Sequence, residues 1–146
     1  MILDEYTKLS DALAVTDADA YTDYSYDTGN VTPKREIGTG VPMCLVFTVM
    51  AAATGSTDTT DFMAITSANA NLTSPLYLAT RRIPNASLTL GTQWVVPLPS
   101  GATYRRYVGG KVELGTGDTI TVDVNLVPLA NVSDQAYYSD AVVFDA

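Results

Sequence analysis

Thr119-Ile120-Thr121-Val122-Asp123-Val124-Asn125-Leu126-Val127 alternates without a break. Ile120, Val122, Val124 and Leu126 fall on one side, and Thr119, Thr121, Asp123 and Asn125 on the other. A strict period of two is the mark of a strand with one face in a core and the other toward water. Gly115-Thr116-Gly117-Asp118 precedes it as a turn.

Other segments repeat this pattern. Met43 to Met50 is the strongest central strand, with Met43, Leu45, Phe47 and Val49 on one face and Cys44, Val46, Thr48 and Met50 on the other. Both faces are largely apolar, although a sandwich strand with one wet face should alternate. A partner protomer or a chain terminus is therefore expected to cover the Cys44, Val46 and Met50 face. Phe62 to Thr66 reads as a short strand, Leu76 to Arg81 as a rim strand, and Ala86, Leu88 and Leu90 alternate before Gly91. Trp94, Val96 and Leu98 alternate next, which places Trp94 in the core, while Pro97 marks an edge or a strand end. Tyr104 to Val108 reads as a strand interrupted by Gly109-Gly110, after which Val112 and Leu114 follow. Tyr24 and Tyr26 alternate with Asp23, Ser25 and Asp27.

The ends of the chain differ from this middle. Ile2, Tyr6, Leu9 and Leu13 are spaced by four, three and four residues, a single helical stripe. The first twenty residues therefore read as a short helix or as an extended arm with apolar anchors. After Pro128, Tyr137-Tyr138 and Val142-Val143-Phe144 suggest a last strand or a docking tail. The expected organisation is an N-terminal arm (1–20), a β-sandwich domain (21–127) and a C-terminal strand or tail (128–146). Its predicted class is all-β, a jelly-roll-like sandwich of about eight strands. A closed barrel is the alternative.

Composition supports this reading and narrows function. The chain has 20 Thr, 15 Val and 9 Tyr, all suited to a pleated surface, and only 3 Glu and 3 Lys against 13 Asp. Its 146 residues suffice for one domain. There is no His, which excludes a Ser-His-Asp triad and imidazole metal ligands. The single Cys, Cys44, excludes an intrachain disulfide and reads as a small buried hydrophobe. A net charge of -8 disfavours nucleic acid, whose phosphates need clustered cations. No apolar run approaches the ~20 residues of a membrane span. Met1-Ile2-Leu3-Asp4-Glu5 has neither a basic region nor an apolar one, so a soluble chain made in a cytoplasm is expected.

The acidic residues invite two chemical readings. Asp118 and Asp123 bracket one strand, but a solvated face explains Asp123 better than a glycosidase pair. Asp17-Ala18-Asp19 and Asp58-Thr59-Thr60-Asp61 are dense in carboxylates, yet neither follows a calcium-loop pattern. No catalytic residue, cofactor or metal site is expected. Six of the eight basic residues come in doublets: Lys34-Arg35, Arg81-Arg82 and Arg105-Arg106. Tyr104 and Tyr107 flank the last of these. Arg beside Tyr suits a protein interface, so Cys44, Val46, Met50, Arg105, Arg106, Tyr107, Tyr137 and Tyr138 are the candidate interface residues.

Three blocks of the chain carry a family resemblance. Met1-Ile2-Leu3-Asp4, Leu9-Ser10-Asp11-Ala12 and Ala14-Val15-Thr16 resemble the opening of capsid cement (decoration) proteins of tailed bacteriophages. Ile37-Gly38-Thr39-Gly40-Val41-Pro42-Met43 and Arg105-Arg106-Tyr107-Val108 continue the likeness. The resemblance implies a non-enzymatic jelly roll on the outer surface of the virion capsid, bridging neighbouring major capsid subunits. It also implies a homo-oligomer, with a dimer favoured and a trimer possible. Under it, Ile2, Leu3, Tyr6, Leu9, Leu13 and Val15 would be the capsid-docking residues of the arm. The net negative charge suits the outside of a DNA-filled shell. A carbohydrate- or receptor-binding jelly roll is the rival, and exposed aromatics on one sheet face would favour it.

Overall fold

A computed structural model describes residues 8–16, 19–28, 43–55, 57–99 and 104–128. Among these residues the chain forms nine strands: β1 (Lys8–Thr16), β2 (Ala20–Tyr21), β3 (Tyr26–Asp27), β4 (Met43–Ala51), β5 (Thr59–Ser67), β6 (Leu76–Pro84), β7 (Gln93–Pro97), β8 (Tyr107–Glu113) and β9 (Thr119–Pro128). They build two antiparallel sheets. One has the order β1-β9-β4-β7, and the other β2-β8-β5-β6, with β3 also paired to β8. Since β2 and β3 share the place of one strand on β8, the chain fills eight positions and crosses between the sheets at every step except the β5–β6 hairpin. This is jelly-roll topology, and the fold is the expected all-β sandwich.

The core lies where the period-two patterns place it. Ile120, Val122, Val124 and Leu126 of β9 are buried, as are Leu45, Phe47 and Val49 of β4. Phe47 meets Phe62 of β5 across the sandwich, ring centroids 4.6 Å apart and planes 7° from parallel. Gly110 of β8 permits this close approach. A Cβ there would lie 3.3 Å from the Phe47 ring and 3.1 Å from Thr22 Cγ2. Trp94 of β7 is half-buried against the same core, and β7 is an edge strand, as Pro97 suggests.

Four expectations are corrected. The helical stripe through Leu9 and Leu13 is a strand: β1 runs antiparallel to β9 and carries Leu9, Leu13 and Val15 into the core. Two register irregularities interrupt β1, and Ala12 has φ 52°. The spacing of four between Leu9 and Leu13 suits a helix but is also even, so both share the inward side of a strand with Val15 while Asp11 faces out. The sandwich thus includes residues 8–16, which the sequence assigns to a separate arm, and Leu9, Leu13 and Val15 are core rather than docking residues. Ala86, Leu88 and Leu90 do not form a strand: Asn85–Ser87 is one 3-10 turn, Leu88 is buried and Leu90 faces water. Gly109-Gly110 does not interrupt a strand but runs through the middle of β8. The strand expected from Tyr24 to Tyr26 is instead two short pieces, β2 and β3, either side of a bend.

Ile2, Leu3, Tyr6, Tyr137 and Tyr138 lie outside the described residues. No helix among the described residues is long and apolar enough to cross a membrane.

Two outcomes test this account. Phe62→Ala should lower unfolding free energy by about 3–5 kcal/mol in urea titration, the usual cost of emptying a buried aromatic site. A chain beginning at residue 17 loses three buried apolar side chains, each contributing about 1.5–3 kcal/mol. That sum rivals a typical domain stability of about 5–15 kcal/mol, so the shortened chain should show no cooperative melt by circular dichroism. A cooperative melt would mean that β1 is dispensable.

Candidate functional site

The two sheets turn different outer faces away from the core. On the β1-β9-β4-β7 sheet, Cys44 and Val46 of β4 pack with Val95 of β7 and Val127 of β9 in a second apolar cluster. Cys44 and Val46 are fully buried, whereas Met50 at the other end of the strand is 45% exposed. The Cys44 thiol donates to the Val127 carbonyl at 3.5 Å, and burial pushes its pKa up to about 12. A thiol so held is not a nucleophile. Asn125, opposite Val46, keeps its Oδ1 buried without a hydrogen-bond donor.

The β2-β8-β5-β6 sheet has an outer face of another kind. Along β8, Val108, Gly110 and Val112 face inward, so Tyr107, Gly109, Lys111 and Glu113 face outward. Strand pairing sets Tyr21 and Met63 on either side of Lys111, and Ile65 beside Gly109. Met63, Ile65 and Leu72 form a small buried cluster there, flanked by Tyr21 and Tyr107. Leu72 comes from the loop between β5 and β6, where it has φ 63° and Ser74 φ 49°. Gly109 leaves the space that Leu72 fills, since a Cβ at that position would collide with the Leu72 side chain. Ser67 Oγ donates to Thr73 O at 2.5 Å and Asn69 Nδ2 to Thr73 Oγ1 at 3.1 Å, which holds the loop down.

Lys111 is the centre of this face. Its side chain is only 8% exposed. Nζ donates to Glu113 Oε1 at 2.7 Å and Tyr77 Oη at 3.1 Å, and lies 3.4 Å from Asp19 Oδ2. The Tyr21 and Tyr77 ring centroids are 5.6 Å and 5.4 Å away. Burial pulls the lysine pKa down, but the hydrogen bonds to Glu113 and Tyr77 and the Glu113 charge outweigh it, so the value is raised. Lys111 is therefore an ammonium ion bracketed by two aromatic rings, not a base. Tyr77 itself stays 55% exposed.

Charged pairs border the face. At one end Arg82 forks onto Asp61, with Nε–Oδ1 2.8 Å and Nη2–Oδ2 3.0 Å. At the other, Arg106 forks onto Asp27 at 3.0 and 2.9 Å and lies 5.1 Å from the Tyr107 ring centroid. Arg105 Nη1 donates to Ser74 O at 3.0 Å, tying the Leu72 loop to the entry of β8. Both edges near this site are blunted. The register of β6 shifts at Leu78, and Arg81 reaches over to donate to Val95 O at 3.1 Å and stack on Trp94.

Of the candidate interface residues, the structure brings Arg106 and Tyr107 onto this face and places Arg105 at its rim. It separates them from Cys44, Val46 and Met50, which belong to the other sheet. Tyr21, Tyr77 and Lys111 are additional residues that sequence reading missed. The period-two run Tyr107, Gly109, Lys111, Glu113 was the available signal, masked by treating the two glycines as a break. No group of three or more His, Cys, Asp and Glu suited to a metal ion occurs among the described residues. The arrangement offers stacking surface and fixed charges, which is recognition chemistry.

Residues 9–126 match the Bbp16 family, and the chain belongs to that family. The match begins within β1 and ends within β9. No curated protein matches the chain.

Lys111→Met leaves Glu113 and Tyr77 without their shared donor, and should cost about 1–3 kcal/mol in urea titration. The lower part of that range applies because Glu113 is one-third exposed. The raised lysine value also fixes a pH signature. The stabilisation is complete below the ordinary lysine pKa of about 10.4 and is lost only as pH rises through the higher folded-state value. The difference between the wild type and Lys111→Met should therefore persist through neutral pH and shrink in strong alkali.

Proposed function

We propose that this Bbp16-family chain is a structural, non-enzymatic virion protein that binds the outer surface of an assembled tailed-phage capsid and cements neighbouring major capsid subunits. The observation that carries the reading is the outer face of the β2-β8-β5-β6 sheet. It joins an exposed Tyr77, the ring of Tyr21 and the Arg106–Tyr107 pair on a chain that is otherwise strongly acidic. Tyr and Arg dominate binding energy at protein interfaces. Rigid strands and two forked ion pairs hold these side chains ready, which lowers the ordering cost of docking. The likeness of the N-terminal and Arg105–Val108 blocks to cement proteins points the same way.

The mechanism is linkage. A protein that binds only the assembled shell stabilises it by mass action, and repetition over the lattice multiplies a modest contact. The partners are the major capsid protein and further copies of this chain. The place of action is the outside of the virion.

A second reading, binding of a carbohydrate, is favoured by one feature. Tyr77 presents an exposed side chain whose hydroxyl meets Lys111, itself bonded to Glu113, a stacking platform with polar groups at one end.

Co-sedimentation with purified phage capsids lacking the protein separates the two. The wild type should pellet with expanded shells and raise their disruption temperature. Tyr77→Ala and Arg106→Ala should each weaken binding by about ten-fold, the effect of a loss near 1.4 kcal/mol. Binding to a glycan array with no capsid binding would replace the cement reading by the carbohydrate one.

A further inference from the structure

Three connections meet at one end of the sandwich: the β4–β5 loop, the turn after β6, and the β8–β9 turn. Asn85 sits among them. Its Nδ2 donates to Thr54 O at 2.8 Å, Gly55 O at 3.1 Å and Asp118 Oδ2 at 3.2 Å, while its Oδ1 accepts from Thr60 Oγ1 at 2.6 Å. Its backbone N–H donates to Asp58 O at 2.9 Å. Thr54 and Thr119 add a reciprocal pair, Thr54 N to Thr119 O at 3.0 Å and Thr119 N to Thr54 Oγ1 at 2.8 Å.

Two carboxyl groups share this joint. Asp118 is only 5% exposed. The Cβ position of Gly115 lies 2.8 Å from Asp118 Oδ2 and 3.1 Å from Asp58 Oδ2, so both side chains crowd the same glycine. Gly55, at φ 76°, makes room on the other side, because a Cβ there would overlap Asp118 Oδ1. Among the described residues, Asp58 is the only ionisable group acting on Asp118; Asn85, Gly55 and Gly115 carry no charge. Among the described residues, no cation pairs with either carboxylate.

We propose that Asp58 and Asp118 form a proton-operated latch: a proton held between the two carboxyls clasps the β4–β5 and β8–β9 connections together, and its loss sets two like charges against each other and loosens that end of the sandwich. Both connections cross from one sheet to the other, so the latch acts where the sheets are tied. Burial, a hydrogen bond to Asp58 and the Asp58 charge raise the Asp118 pKa, while the Asn85 hydrogen bond opposes them. A carboxyl with a raised folded-state value binds its proton more tightly in the folded chain. Its stabilisation is present in acid and is lost as pH rises through the raised value, the reverse of a salt-bridged carboxylate. The latch is independent of what the tyrosine face binds.

The test is thermal melting of the full chain and of Asp118→Asn and Asp58→Asn between about pH 4 and pH 8. An amide can donate the missing hydrogen bond without a titrating proton. Both variants should therefore melt higher than the wild type at about pH 8, and this advantage should vanish at about pH 4. A difference from the wild type that stays constant with pH would overturn the proposal. So would stabilisation of the wild type, but of neither variant, by millimolar calcium at about pH 8, since a cation and not a proton would then bridge the pair. Carbon-13 titration of the wild-type Asp118 carboxyl decides the matter should either variant fail to fold. A midpoint above the ordinary carboxylate value of about 3.9 is expected, and one at or below it would overturn the proposal.

Discussion

The stack of Phe47 on Phe62 sets the distance between the sheets, and the jelly roll is arranged around it. Two rings 4.6 Å apart require their strands to approach closely at the centre of the sandwich. The neighbouring strand must then give way, and it does so through Gly110, where any side chain would press on Phe47 and Thr22. The Gly109 next to it faces outward and admits Leu72 by the same means. β8 is thus thin in the middle on both sides. One side serves the core and the other seats the loop that completes the tyrosine face. Packing density leaves no slack at either contact.

The two outer faces follow from this asymmetry. The β1-β9-β4-β7 sheet carries a compact apolar cluster around Cys44 and Val46, with the thiol held as a hydrogen-bonding hydrophobe. The β2-β8-β5-β6 sheet carries a charged and aromatic surface in which Lys111 is fully engaged from within. Forked Arg–Asp pairs at both ends of the tyrosine face fix side chains that would otherwise be free to rotate. Among the described residues, Arg81, Arg106 and Lys111 each lie over an aromatic ring.

Much of the fold was legible in the alternation of apolar residues, and the failures have local causes. β9 and β7 are legible from their period of two, and β4 from a short apolar run bounded by loops, although it is buried on both faces. β1 reads in the sequence as a helix or an extended arm, because a spacing of four suits a helix, yet it is even and so also leaves Leu9, Leu13 and Val15 on one side of a strand, with Asp11 turned outward. Ala86, Leu88 and Leu90 alternate as a strand would, but the 3-10 turn at Asn85–Ser87 sends Leu88 inward and Leu90 to water. The glycine pair of β8 reads as punctuation in the sequence, although each glycine answers a close neighbour from a different part of the chain. Of the candidate site, Arg106 and Tyr107 were visible as a basic–aromatic doublet. Tyr21 and Tyr77 were not, because neither carries a local pattern that marks it.

The sequence by itself determined an all-β chain without imidazole chemistry, with a strongly acidic balance and a core made of alternating Val, Ile, Leu and Phe. Those are local or additive properties: a strand's period and a chain's charge need no knowledge of its neighbours. Only the tertiary structure decided that Tyr21 stands beside Lys111, that β1 closes the sheet against β9, and that Asp58 confronts Asp118 across Gly115. Each of these contacts joins residues from widely separated parts of the chain. Strand order and register set them, and those depend on how two whole sheets bury their apolar faces against each other.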